Sequence, residues 1–365
     1  MNIGLFSNSS RFHQVPWEDY EADLREIVVA DEAGFDEAWI SEHLGSPWRG
    51  AMPVPELLIA KASALTEQIR LGSGVRLLPL YHPFDVATQA AVNDQLLRGR
   101  YNLGVGTGFA GVPNMERRGL PVAERIPRTL EAVEFIVRCF ESEEPFDFDG
   151  EFYRGQAVTL LPRPYQSPHP PIAVAEGTAM SELAAARGYG ILFGHWSTVA
   201  QLRPKFDSFA AAAASAGVAD PRSLIRLARM VYVAEDRETA IAQAREGYTR
   251  ELEVRRQFSP ALLAGHLAAG ETVDDLSVDR LIERGAYVLG DPDEVAGALL
   301  ELSAAVGGFG TLLLVGGKDV SSAEGRERSM RLFASEVVPR LRARAGTDGA
   351  VGSATRAATA PAGAA

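Results

Sequence analysis

Trp39-Ile40-Ser41-Glu42-His43, then Arg70-Leu71-Gly72-Ser73-Gly74-Val75, then Leu78-Pro79-Leu80-Tyr81-His82-Pro83: the stretch from 39 to 83 holds two apolar strands, each followed by a histidine just past its end. Between them, 55–66 carries Leu57, Leu58, Ala60, Ala64 and Leu65 and reads as a helix. Upstream, Ile3-Gly4-Leu5-Phe6 reads as a strand, and 17–33 as a helix with Tyr20, Leu24, Ile27, Val28 and Ala30 on one face, ended by Gly34. Strand followed by helix is therefore the repeating unit.

The unit continues downstream. Strands are expected at 69–78, 101–106, 171–175, 190–194, 225–234 and 311–315, with helices at 83–97, 125–140, 181–187, 199–216, 238–258, 292–305 and 321–343. Eight strands alternating with helices over about 340 residues predict an α/β fold, a closed (β/α)8 TIM barrel rather than an open doubly wound sheet. Residues 141–171 interrupt the rhythm after strand four with Phe146, Phe148, Phe152, Tyr153 and six prolines, and read as an insertion packed over the barrel. A second insertion, irregular over 259–284 and extending to about 290, precedes strand eight. Residues 1–345 are expected to form one domain. From 346 to 365 the Ala/Gly-rich sequence offers no large apolar side chain to offset ordering entropy, which predicts a disordered tail.

The 365 residues are 46% hydrophobic and 23% charged, ordinary for a globular protein with a large core. A net charge of −12 without any basic block excludes a nucleic-acid surface. Cys139, the one cysteine, lies in an apolar helical run and reads as packing. The chain opens directly on a strand, with no signal peptide and no run long enough to span a bilayer, so cytoplasmic residence without membrane contact is expected.

Barrel enzymes keep their chemistry at strand C-termini, which singles out His43 and His82. No His-x-x-x-His pair or acid cluster accompanies them, so no metal is expected. Gly104-Val105-Gly106-Thr107-Gly108 lacks the third glycine and the distant acid of a dinucleotide fingerprint; it is a tight turn or a close approach to a flat ligand. Glu176-Gly177-Thr178-Ala179-Met180-Ser181 opens a helix, and its amides and hydroxyls suit either a phosphate or plain capping by Thr178 or Ser181.

Taken together, these fragments resemble the bacterial luciferase-like monooxygenases, flavin-dependent (β/α)8 barrels. The likeness runs from Ile3 to about Leu341 through Gly34-Phe35-Asp36-Glu37-Ala38-Trp39, Glu42-His43, 70–75, 78–83, 97–106, Gly150-Glu151-Phe152-Tyr153 and Val288-Leu289-Gly290-Asp291-Pro292-Asp293-Glu294-Val295. It implies that His43 handles protons at the flavin, with Glu42 orienting it, and that Gly74-Val75 is a non-prolyl cis peptide behind the ring. It assigns Ala175, Glu176, Gly177 and Thr178 to the flavin phosphate, and sets His195 or Trp196 beside the ring. Two departures stand out. Leu44 replaces the second histidine of a common His-His pair, and Thr107 stands where luciferase proper has a phosphate-binding arginine, which leaves Arg125 or Arg128 to meet that charge.

The implied activity is a two-component monooxygenase. A separate reductase supplies reduced FMN, and one atom of O2 goes to a small organic substrate, apolar or aromatic if the insertion aromatics and Phe6, Phe12, Trp48, Phe109 and Trp196 surround it. The likeness also implies a homodimer. Light emission is not implied. Two alternatives share the barrel: a deazaflavin-dependent dehydrogenase or reductase, and a non-catalytic partner subunit, against which the presence of His43, His82 and 176–178 argues.

Overall fold

The computed structural model describes residues 1–10, 15–45, 52–108 and 114–345. Phe12, Trp48, Phe109 and the tail 346–365 lie outside the described residues. The strands are β1 (Asn2–Ser10), β2 (Glu37–Ile40), β3 (Arg70–Ser73), β4 (Arg76–Leu77), β5 (Tyr101–Gly106), β6 (Phe146–Asp149), β7 (Arg154–Val158), β8 (Ile172–Ala175), β9 (Gly190–Phe193), β10 (Ile225–Val233), β11 (Tyr287–Gly290) and β12 (Thr311–Lys318). Eight of them close a parallel ring in the order β1-β2-β3-β5-β8-β9-β10-β12, with β12 returning to β1. The expected barrel is therefore present, with helices between its strands.

Three details differ from expectation. Strand three breaks at the cis peptide Gly74–Val75; β4 resumes beside β5, and Leu78–Leu80 turns into a short 3₁₀ helix. A further strand, β11, pairs with the outer half of β10, Met230 to Val233, beyond the ring. Finally, β12 runs on to Lys318, because Gly316 and Gly317 continue the strand rather than end it.

The barrel interior explains the glycines of 72–74 and 104. Trp39 is wholly buried among Ala173, Leu192, Ala228 and Leu313. A Cβ on Gly72 would sit 3.0 Å from Trp39 Cε3, and one on Gly104 only 1.8 Å from the Ser73 carbonyl oxygen. Small residues facing one large ring fill the barrel without voids.

The 141–171 insertion contains the antiparallel hairpin β6–β7, and it packs on the helix Arg125–Glu141 rather than over the barrel mouth. Phe146 and Phe148 lie 6.0 and 4.7 Å from the Phe135 ring, centroid to centroid. Glu131 accepts the amides of Glu151, Phe152 and Tyr153, while Arg163 donates to the carbonyls of Cys139 and Phe140 at the helix end. The same packing buries Cys139, whose thiol is pushed up to about 12 by desolvation and is inert at neutral pH.

Candidate active site

At the C-terminal end of the ring, His43 Nε2 lies 2.8 Å from Asn8 Oδ1 on β1. With Asn8 presenting its oxygen, the imidazole donates from Nε2 and keeps its lone pair on Nδ1. Burial, then the positive charges of Lys318 and Arg255, push its pKa down to about 4, so it is neutral at pH 7. The expected partner Glu42 makes no direct hydrogen bond to it. Both Glu42 oxygens are engaged elsewhere, Oε2 by Arg76 Nη1 at 3.2 Å and Leu77 N at 3.1 Å, Oε1 by the Tyr81 hydroxyl at 2.7 Å. Consecutive residues of an extended segment point to opposite sides, and Glu42 and His43 do so here.

The charges around His43 come from places distant in sequence. Glu251, on the helix Arg237–Phe258, accepts Lys318 Nζ at 2.6 Å and Arg255 Nε at 2.7 Å, and all three side chains are buried. Desolvation works against the Glu251 carboxylate, but the two cations pull it down to about 2, while burial lowers Lys318 to about 8. The group therefore carries one excess positive charge. His195, just past β9, is exposed to the same field: desolvation and then Lys318 and Arg255 hold it well below the usual imidazole range, and its buried Nε2 has no hydrogen-bond partner. Buried Arg229 fixes the loop that carries it by donating to the carbonyls of His195 and Ser197 at 3.4 and 2.9 Å.

His195 and Trp196 divide their surroundings. The Trp196 ring turns towards His266 and Tyr287, at 6.2 and 5.8 Å, and His266 Nε2 lies 2.8 Å from the Trp196 carbonyl oxygen. Trp196 Nε1, His266 Nδ1 and the Tyr287 hydroxyl are buried without partners.

On the other side of the mouth, a Cβ on Gly106 would fall 2.5 Å from Val75 Cγ2, so the glycine makes room for the bulge at 74–75. Gly177 is the N-cap of the helix Thr178–Arg187 and offers no side chain to its first amides, so neither Thr178 nor Ser181 caps the helix. Next to it, after Ala175, Glu176 ties down the loop: its Oε2 accepts Lys205 Nζ at 2.6 Å and its Oε1 the Gly194 amide at 3.3 Å. Arg125 donates to the Gly108 carbonyl at 3.1 Å, beside Thr107, whose hydroxyl donates to the same oxygen. Arg128 is paired with Glu124 at 2.7 Å and lies over the Phe152 ring, which leaves Arg125 as the one of the two that reaches the loop after β5. A glycine cradle and uncapped amides fit a flat ring carrying a phosphate.

The structure does not bring His82 to His43. His82 is the N-cap of the helix Pro83–Leu96, accepting the Phe84 amide at 3.2 Å, and its ring packs edge-on against Phe135 and Tyr153. Sequence reasoning also missed Asn8, Lys318, Glu251, Arg255, Arg229 and His266. Only Lys318, a lone lysine at a strand end, left a readable trace.

A family model described as luciferase-like monooxygenase matches residues 1–308. The chain is 34% identical over 333 residues to 4-hydroxyprotoasukamycin monooxygenase of Streptomyces nodosus subsp. asukaensis, covering 89% of this chain and 86% of that protein. It is 31% identical to the F420-dependent glucose-6-phosphate dehydrogenase of Beutenbergia cavernae, over 88% and 93% of the two chains. Among solved structures, the oxygenating constituent of 3,6-diketocamphane monooxygenase from Pseudomonas putida, a type II Baeyer-Villiger monooxygenase in complex with FMN, superposes with a TM-score of 0.82 at 25% identity, over 93% of this chain and 98% of that one.

Proposed function

Because the chain belongs to the luciferase-like monooxygenase family, we propose that it is the oxygenase component of a two-component system, taking reduced FMN from a separate reductase and using O2 to oxygenate a small, apolar organic substrate. When bound, the reduced flavin supplies the electrons that activate O2. The observation that carries the reading is the His43–Asn8 pair at the barrel mouth, a neutral imidazole with an available lone pair. His43 takes up and returns a proton beside the ring, and the excess positive charge of Lys318 and Arg255 keeps it from holding that proton permanently. The amides after Gly177 receive the phosphate, with Arg125 beside Thr107 as the nearby cation. Val75 and Gly106 give the ring its flat support, and Trp196 and the buried Tyr287 restrict water. The insertion aromatics play no part in substrate choice on this reading, since Phe146 and Phe148 pack against Phe135, Phe152 lies under Arg128 and Tyr153 packs on His82.

The likeness of the solved relative, itself an oxygenating constituent, supports the separate reductase. A homodimer belongs to the same reading, with exposed Leu57 and Leu96 on neighbouring helices as the face a second copy would cover. Cytoplasmic residence does too; among the described residues no helix is long and apolar enough to cross a membrane. The test is externally supplied reduced FMN under ¹⁸O2 with a panel of apolar ketones and alkenes. Substrate-dependent ¹⁸O in a product is expected, and oxygen uptake ending only in hydrogen peroxide across the panel would sink the proposal. The F420-dependent relative favours one second reading, a deazaflavin-dependent dehydrogenase. Tight binding of reduced deazaflavin with no oxygen uptake would establish it instead.

A further inference from the structure

A second buried charge group lies on the opposite side of the Glu42-His43 segment, and nothing in the chemistry above uses it. Arg76 Nη1 is 3.2 Å from Glu42 Oε2 and 3.0 Å from Glu56 Oε2, with side-chain exposures of 2%, 0% and 7%. Arg76 also lies over the Tyr81 ring at 3.6 Å, and its Nη2 reaches Gln89 Oε1 at 3.4 Å. Glu42 holds the far end of the same loop through the Leu77 amide and the Tyr81 hydroxyl. The two neighbours of this group in sequence are the point. Glu42 immediately precedes His43, and Arg76 immediately follows the cis peptide Gly74–Val75.

We propose that Arg76, clamped between Glu42 and Glu56, is a positioning residue that locks His43 and Val75 to one another and so fixes the imidazole relative to the face on which the flavin lies. The inference rests on the FMN reading only for the identity of that ligand. Three physical arguments carry it. First, backbone joins β2 to the break between β3 and β4 only as far as Ile40, whose carbonyl accepts the Gly74 amide at 2.7 Å; beyond that bond, the side chains of Glu42 and Arg76 make the connection. Second, the other supports of His43 lie on different elements, Asn8 on β1 and the Met52 carbonyl, which accepts the His43 amide at 2.8 Å, so its tie to β4 runs through Glu42, which Arg76 and the Leu77 amide together hold. Third, a buried ion group is rarely the most stable way to fill a core, since apolar side chains of similar volume do as well or better. Two carboxylates and a guanidinium retained here specify geometry. Burial raises Glu56 to about 7 and also raises Glu42, against the pull of Arg76 on both.

The test uses the full chain in three variants: Arg76→Met, Glu56→Gln, and the apolar control Glu42→Gln/Arg76→Met/Glu56→Leu. Two measurements are made, FMN affinity by fluorescence quenching and the His43 resonances of the apo protein by ¹³C-histidine NMR, with melting temperature recorded beside them. Positioning predicts that Arg76→Met weakens FMN binding roughly ten-fold or more, as loss of an orienting partner commonly does, and moves or broadens the His43 signal. The triple variant recovers the melting temperature but not the affinity or the signal. Glu56→Gln keeps shape and fold and shifts both readouts in the same direction by less, so it decides the matter if the larger change does not fold. An unchanged His43 signal and FMN affinity within about two-fold in folded variants, or recovery of affinity together with stability in the triple variant, overturns the proposal. If the wild-type protein takes no FMN, the oxygenase reading falls, and the apo His43 signal alone judges the clamp.

Discussion

Replacing Lys318 with methionine tests the electrostatic account of His43. Lys318 and Arg255 together outweigh Glu251 by one charge, and that excess helps burial hold His43 at about 4. Removing one unit charge on the order of 8 Å away, at an effective dielectric constant of ~20, relieves ~2 kcal/mol, equivalent to roughly 1.5 pH units. Lys318→Met should therefore raise His43 to roughly 5.5, still below a free imidazole because the desolvation remains. The assay is an NMR titration of the apo protein, with His43→Gln and His195→Asn variants to assign the two rings. The acid limb of kcat/KM should move to higher pH by the same amount, because His43 must be neutral to accept a proton. Stability carries the same sign. As pH falls from 6.5 to about 4 the unfolded chain protonates His43 and the folded one does not, a loss of about 3 kcal/mol that the variant should reduce to roughly half. A wild-type His43 titrating near 6.5, or a downward movement in Lys318→Met, would refute the reasoning.

Glu56 runs opposite to His43: raised to about 7, it contributes stability that is complete below its unfolded value of 4.5 and is lost as pH rises through 7. Glu56→Gln should remove that alkaline loss, up to ~3 kcal/mol, so urea unfolding at pH 5 and pH 8 should give midpoints closer together than in wild type. Trp39→Ala empties the barrel centre and should cost about 3–5 kcal/mol by urea denaturation; a loss under about 1 kcal/mol would show that Gly72 and Gly104 were not making room for the ring. Gly106→Ala puts a methyl 2.5 Å from Val75 Cγ2, so FMN binding should weaken several-fold while the melting temperature changes little. Equal loss of both would assign Gly106 to the core alone.

The barrel was legible because each of its eight strands is a short apolar run separated by helical periodicity, and local pattern is what a sequence displays most directly. β11 was not legible, since its place is set not by the alternation of strands and helices but by pairing with the outer half of β10, more than fifty residues upstream. The site divides along the same line. His43, Gly177 and the bulge at 74–75 stand at strand ends and could be read, but the groups that set their chemistry meet only through the fold. Asn8 reaches His43 from 35 residues away and Lys318 meets Glu251 across 67, while Glu42, adjacent in sequence, points the other way. Adjacency misled because an extended chain alternates sides, and this same alternation gives the segment its design. One face carries an imidazole beside an excess of positive charge, and the other carries a carboxylate bound to Arg76. A substitution on the Arg76 side should therefore disturb where His43 sits, and one on the Lys318 side should disturb when it holds a proton; two effects so separable in position and protonation are distinct roles rather than one.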